Sequence, residues 1–204
     1  MRSKHDHARL FVCIAVIMLL APTGALAQAH AYEVQRGESR IQWVSDAPLE
    51  RVTGVNSAVH GTLQVDMAHL ANTRGTVHVD IADMRTGIDL RDEHLRGPDW
   101  LDAERHPRAT LEITGVEGAT QLTPNEVQDV TLRGRFSLHG VTRDVTVQTQ
   151  IRLIPASGDT PALIRAQASF DIELSDYQVS ISAPVRLKVA NRIRINVTIR
   201  AVAR

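Results

Sequence analysis

The chain has 204 residues, 23 basic and 23 acidic side chains, 43% apolar residues and only 3% aromatics. This length suits a single domain of the all-β kind, and the charge balance excludes a nucleic-acid binder that works through a basic field. A core can form, but Val, Ile, Leu and Ala must line it, which suits an aliphatic chain better than a stacked base or a sugar ring.

Residues 1–27 carry a basic start (Arg2, Lys4, Arg9), an apolar run from Leu10 to Ala21 and the small-x-small triplet Ala25-Leu26-Ala27. That is the order of a secretory signal peptide, and the apolar run is short against the roughly 20 residues of a membrane span. Cleavage is expected there or after the overlapping Ala27-Gln28-Ala29, which leaves a periplasmic or secreted domain over 28–204 with no stable membrane insertion. Loss of Arg2, Lys4, Arg9 and Asp6 leaves 20 basic against 22 acidic side chains, so the mature chain is slightly acidic. Cys13, the single cysteine, falls in the apolar run behind bulky Val12, unlike a lipoprotein attachment site. The exported domain therefore has neither disulfide nor thiol chemistry.

Beyond the leader the chain reads as short alternating runs. Tyr32–Val34 and Ile41–Val44 open it, and Asp46-Ala47-Pro48 breaks the second. Val59, Gly61, Leu63 and Val65 then share one face, and Val77, Val79 and Ile81 repeat the pattern against His78 and Asp80. After an interruption at 85–113 come Val130 to Leu138, a turn at His139-Gly140, and Val145 to Leu153. Ile164 to Ile172 follows, then Val185, Leu187 and Val189, and finally Ile193 to Ile199. Eight to nine strands with hairpin-length links predict an antiparallel barrel or sandwich. Gly61, Gly134, Ala166 and Ala168 fall among larger residues on the inward face, so a closed barrel of about eight strands would leave its interior partly empty.

The interruption, RTGIDLRDEHLRGPDWLDAERHPRATLEI, is crowded with charges and punctuated by Gly97-Pro98 and Pro107. It predicts a short helix, solvated and capped by Asp89, Arg91, Asp92 and Arg96 and packed through Ile88, Leu95 and Trp100. His94, Asp99, Asp102, Glu104 and His106 are metal or acid-base ligands by type, but no zinc spacing is present. Ser137 lacks a strand-to-helix elbow, and no Gly-x-Ser-x-Gly occurs.

Three segments, Arg91-Asp92-Glu93-His94-Leu95, Trp100-Leu101-Asp102 through His106-Pro107, and Leu138-His139-Gly140-Val141-Thr142-Arg143, taken in order with strands between them, resemble the YceI family. The resemblance covers nearly the whole mature chain. It implies an all-β, antiparallel lipocalin-like barrel of about eight strands with a short helical insert, holding a polyisoprenoid or similar lipid or quinone. It also implies an exported, non-enzymatic carrier without a cofactor or nucleic-acid partner, and it admits a stress-related role. The sequence departs from the family at Ser45–Glu50 and Asn56–Val59, where only Val52-x-Gly54 and Gly61 echo the pattern. Candidate residues for a cavity or its entrance are Trp43, Gly61, Leu63, Val79, Ile88, Leu95, Trp100, Leu132, Gly134, Phe136, Ala166, Ala168 and Phe170. Two alternatives stay open: a hydrolase, metal-dependent or acid-base, built on 85–111, and a filled barrel serving as a structural or partner-binding module. Oligomeric state is open too, a dimer included.

Overall fold

The computed structural model describes residues 29–204; the leader assigned to 1–27 lies outside the described residues. Ten strands follow in chain order: β1 (Ala29–Val34), β2 (Arg40–Asp46), β3 (Arg51–Asn56), β4 (Val59–Asp66), β5 (Arg74–Asp80), β6 (Arg108–Glu117), β7 (Val127–Leu138), β8 (Val141–Ile154), β9 (Leu163–Glu173) and β10 (Arg192–Ala203). Among the described residues the one α-helix, α1 (Asp89–Arg96), lies between β5 and β6.

The strands pair antiparallel throughout; β4 to β10 follow one another in sequence order, and β1 lies on the other side of β4. The barrel closes through β10, whose first half pairs with β2 (Ile195 opposite Trp43) and whose last residues pair with β1 (Ala203 opposite Tyr32). β1 and β2 therefore act as one stave interrupted at Gln35–Ser39, and β3 and β4 as a second interrupted at Ser57-Ala58. Ten strands thus build an eight-staved closed antiparallel barrel with one helix. Among the described residues, closure leaves β3 as the one strand paired on a single side, and there Val55 bridges to Arg85.

Alternation sorts the side chains. On β10, Ile193, Ile195, Val197 and Ile199 face inward while Arg192, Arg194, Thr198 and Arg200 face out. The outer face carries cross-strand ion pairs such as Arg194–Asp171 at 3.0 Å and Arg135–Glu112 at 2.7 Å. Each exposed pair contributes about 0–1 kcal/mol, so they set solubility and register more than stability. The Arg194 guanidinium holds the Asp171 carboxyl below the usual range against the opposing effect of burial, with Arg192 assisting. A polar exterior around an apolar interior is the reverse of a transmembrane barrel, whose outward band is apolar. Among the described residues, no helix is long and apolar enough to cross a membrane.

Three expectations change. β3 was not foreseen; its inward positions are Val52, Gly54 and Asn56, and the last two break the apolar rhythm. Asn56 is 2% exposed because its amide donates to the Asp80 carbonyl (2.7 Å) and accepts from the Ala58 N–H (2.6 Å). Val185 to Val189 is not a strand. Its first residue closes a 3-10 turn over Ala183–Val185 that contains Pro184, and the N–H groups of Lys188 and Val189 both donate to the Val185 carbonyl.

The third concerns the helix. Asp92 is buried rather than solvating, accepting from the Thr86 N–H (2.7 Å) and hydroxyl (2.5 Å), whereas Ile88 is 53% exposed rather than packed away. A carboxylate reaching back to the chain before its own helix fixes where that helix starts, which the charge pattern alone does not reveal.

Two residues, His139 and Gly140, join β7 to β8, both at positive φ (49° and 76°), as a tight primed hairpin turn requires. A bulge between Ile113 and Gly115 shifts the alternation of β6, so that Val116 faces inward with Ile113.

Candidate functional site

The barrel is hollow. A cavity of about 570 Å³ occupies the interior, walled by the inward residues of the barrel staves. That volume falls in the roughly 300–1,000 Å³ range of small-molecule sites. The filled-barrel alternative does not describe this interior.

Trp43, Leu63, Val79, Leu132, Phe136, Ala166, Ala168 and Phe170 border the cavity from the strands, and Ile88, Leu95 and Trp100 border it from the insert. Ala166 and Ala168 create width. They stand on β9 between Ile164 and Phe170, and Ala168 faces Thr149 on β8 and Val197 on β10. Both alanines are only half-buried although they point inward, because open volume rather than a neighbour lies before them.

Gly61 and Gly134 are not part of the wall. A Cβ on Gly61 would strike the Thr76 carbonyl oxygen, and one on Gly134 would come within 2.6 Å of the Glu112 oxygen. Gly61 also has φ +151°. These glycines let adjoining backbones approach closely where the barrel curls, so they shape the wall from behind instead of widening the space inside.

The two ends differ. At one, Leu70 is 1% exposed and its N–H donates to the Thr120 carbonyl (2.9 Å), while the Leu122 N–H donates to Met67 (2.8 Å), so the 67–73 and 118–122 connections are tied together over the opening. The other end carries α1, the β2–β3 turn and the 181–190 segment. There the cavity wall runs outward through Thr86, Ile88, Leu90, Arg91, His94, Val185 and Val189. Ile88 and Leu90 line the cavity and are also 53% and 61% exposed, which marks this end as the mouth.

α1 is held at the mouth from several directions. The N–H groups of Val55 and Arg85 each donate to the other residue's carbonyl, at 2.8 and 3.0 Å, fastening the chain before the helix to β3. Arg91 donates to Glu50 (2.8 Å) and to the Thr86 hydroxyl (2.9 Å). The Arg91 charge is thus balanced by Glu50, and the polar groups at the mouth are matched by no comparable cluster deeper in. Farther in, the polar side chains on the wall are Ser45, Thr73 and Thr149. Ser45 accepts from the Ala190 N–H and Thr149 donates to the Val147 carbonyl, while the buried Thr73 hydroxyl and Trp43 Nε1 have no partner among the described residues, so the wall offers two isolated polar atoms and no cluster.

Phe136 meets Phe170 edge-on at 5.5 Å and Tyr177 at 5.6 Å. Tyr177 is 2% exposed, and burial pushes its phenol up to about 12, so it stays neutral at any physiological pH. This cluster stiffens the wall around the part of the cavity that Phe136 and Phe170 line.

The residues with chemistry by type are dispersed. His94 borders the mouth, Asp102 is buried and accepts from the Arg105 N–H (3.4 Å), and His106 packs edge-on against His139 with centroids 4.8 Å apart. Among the described residues no group of three or more His, Cys, Asp or Glu side chains is placed to hold a metal ion. Ser137 shares a hydrogen bond with Thr142 across the hairpin (2.7 Å) on the outer face.

Arg91, His94, Thr86 and Leu90 were not foreseen as part of the site. Leu90 and Arg91 lie within a run that reads as a solvated helix, and only the fold shows that one side of it closes the barrel.

The pattern of the YceI-like domain matches residues 32–201 of this chain. A UPF0312 protein of Vibrio parahaemolyticus is 26% identical over 175 residues, covering 84% of this chain and 88% of its own length. The structure is similar to that of BcnA from Burkholderia cenocepacia, with TM-score 0.67 at 20% identity over 83% of this chain and 99% of that one. It is also similar to a polyisoprenoid binding domain from Saccharophagus degradans, with TM-score 0.66 at 18% identity over 86% of this chain and 99% of that one. At such identities the two structures speak for the fold.

Proposed function

The chain belongs to the YceI-like family, and from that membership and the shape of the cavity we propose that it is a non-enzymatic carrier holding a long apolar molecule, a polyisoprenoid or a similar lipid or quinone, inside its barrel. One observation carries the reading: an aliphatic cavity of about 570 Å³, closed at one end and open at the other. Burying apolar surface there is favourable by about 25 cal/mol per Å², and with so few polar groups on the wall a chain without functional groups meets no desolvation cost. A chain threads from the mouth toward Leu70, and its polar terminus stays beside Thr86, Arg91 and His94. Because Glu50 already balances Arg91, that terminus needs no full negative charge.

The carrier works outside the cytoplasm, after removal of 1–27, on the strength of the basic start, short apolar run and small-x-small sites. Fractionation tests this; full-length protein recovered from the cytosol contradicts it.

Both tryptophans of the chain border the cavity, so occupancy has an intrinsic reporter. Titration of the purified domain with a long-chain isoprenoid alcohol in dilute detergent should shift the tryptophan emission saturably, at one equivalent. A flat titration, with the same alcohol recovered entirely in the detergent, contradicts the proposal.

A further inference from the structure

The four most exposed large hydrophobics near the mouth are Leu49 (69%), Leu90 (61%), Leu187 (54%) and Ile88 (53%). They are not scattered. Ile88 and Leu90 belong to the cavity wall as well, and Leu49 is joined to Leu187 by a hydrogen bond from the Leu49 N–H to the Leu187 carbonyl (2.8 Å). Leu187 in turn lies between Val185 and Val189, both on the wall. Apolar surface therefore continues from inside the barrel over its lip.

The lip is cationic on one side, that of segment 181–190, while on the α1 side Asp89 stands exposed between Ile88 and Leu90. The segment 181–190, ISAPVRLKVA, contains Arg186 and Lys188 on either side of Leu187 and no acidic residue. Of the neighbouring hairpin's carboxylates, Glu50 is engaged by Arg91 at 2.8 Å and Asp46 lies 3.7 Å from Arg51. An exposed leucine between two long cationic side chains matches the boundary of an anionic bilayer, where the apolar tip enters the acyl region and the cations remain among the head groups.

We infer that the lip formed by Leu49, Ile88, Leu90 and Leu187 is a bilayer-docking surface, through which the barrel loads and unloads its ligand by direct contact with membrane lipid. This rests on the carrier reading above, since a chain that apolar crosses water far more slowly than it crosses a continuous apolar contact. Leu49 and Leu187 do not border the cavity, so docking and holding are separable by mutation.

The test is transfer of a fluorescent long-chain isoprenoid alcohol from vesicles of phosphatidylethanolamine and phosphatidylglycerol to the mature protein. For the unaltered protein the rate should rise in proportion to vesicle concentration. Leu49→Glu with Leu187→Glu should slow it by about tenfold or more, the scale of losing one buried leucine contact, while the amount held after loading from detergent stays the same. Arg186→Gln with Lys188→Gln should slow transfer from these vesicles and not from phosphatidylcholine vesicles. Rates independent of vesicle concentration, or unchanged in the leucine variant, overturn the inference. So does a dimer in light scattering that Leu187→Glu dissolves, because the lip would then belong to a second copy. Failure to load from detergent as well strikes the carrier reading itself, which distinguishes the two.

Discussion

The indole of Trp43 lies over Gly54, its partner across the β2–β3 ladder, so closely that a Cβ at position 54 would stand 2.1 Å from the ring. The indole Nε1 is buried and has no hydrogen-bond partner among the described residues. Only glycine at 54 leaves room for this placement, and the ring in turn forms part of the cavity wall. Gly54→Ala should therefore push Trp43 into the cavity at a cost of about 1–3 kcal/mol, the usual range for overpacking. Thermal unfolding and tryptophan emission check this together: a lowered midpoint with a changed emission maximum is expected, and a variant unchanged in both contradicts the packing described.

Ala168 tests whether the open volume is what the ligand uses. In a filled core Ala168→Phe would destabilise by about 1–3 kcal/mol, but here the ring has space before it. The variant should keep most of its thermal stability without ligand and lose retention of a long-chain isoprenoid. Gln167→Phe, one residue away on the outer face, should retain it. Loss of fold and ligand together in Ala168→Phe, or loss of neither, contradicts the cavity's role.

Asp92 anchors the start of α1 through two hydrogen bonds to Thr86, and each bond to a charged acceptor contributes about 1.5–3 kcal/mol. Asp92→Ala leaves the Thr86 N–H without its partner. The unfolding free energy from denaturant titration should fall by about 1.5–3 kcal/mol or more, and amide exchange should quicken over 85–96 before it does elsewhere. Wild-type exchange in this segment would show that the Val55–Arg85 bonds suffice alone.

The outer wall carries a pH response. His78 is held below its ordinary value chiefly by burial, then by His60, whose ring centroid lies 5.4 Å away, and by Arg108, while Asp80 pulls the other way. With the folded value lowered from about 6.5, the unfolded chain binds more protons in that window, so stability falls as pH drops from 7 toward 5. His78→Gln should flatten the dependence between those limits and leave the carboxylate-driven loss at lower pH in place. Denaturation midpoints at pH 7 and 5 decide it, and equal slopes in both proteins contradict it.

Alternation made most staves readable, and the His139-Gly140 turn read directly because two consecutive positive φ values demand such residues. β3 escaped notice since Asn56 and Gly54 occupy inward positions, and nothing local says that the Asn56 amide will be satisfied by Asp80 from another strand. Val185, Leu187 and Val189 alternate as a strand would, yet the turn over Ala183–Val185, with Pro184 inside it, sends the two valines inward and the leucine out. In the site, alternation located the aliphatic wall, but it counted Gly61 and Gly134 as open space when neighbouring backbones fill their places. The mouth was the least legible part. Arg91, His94 and Leu90 look solvated in any local window, and their second role comes from where the β5–β6 connection sets α1 over the barrel.

If this barrel holds a long apolar molecule, organic extraction of the purified mature protein followed by mass spectrometry will reveal it. The wild-type protein should release a long-chain isoprenoid or comparable lipid near one equivalent, and Ala168→Phe purified in parallel should release none. An extract without such a compound, from wild-type protein that also takes up no isoprenoid alcohol offered to it, would contradict the account.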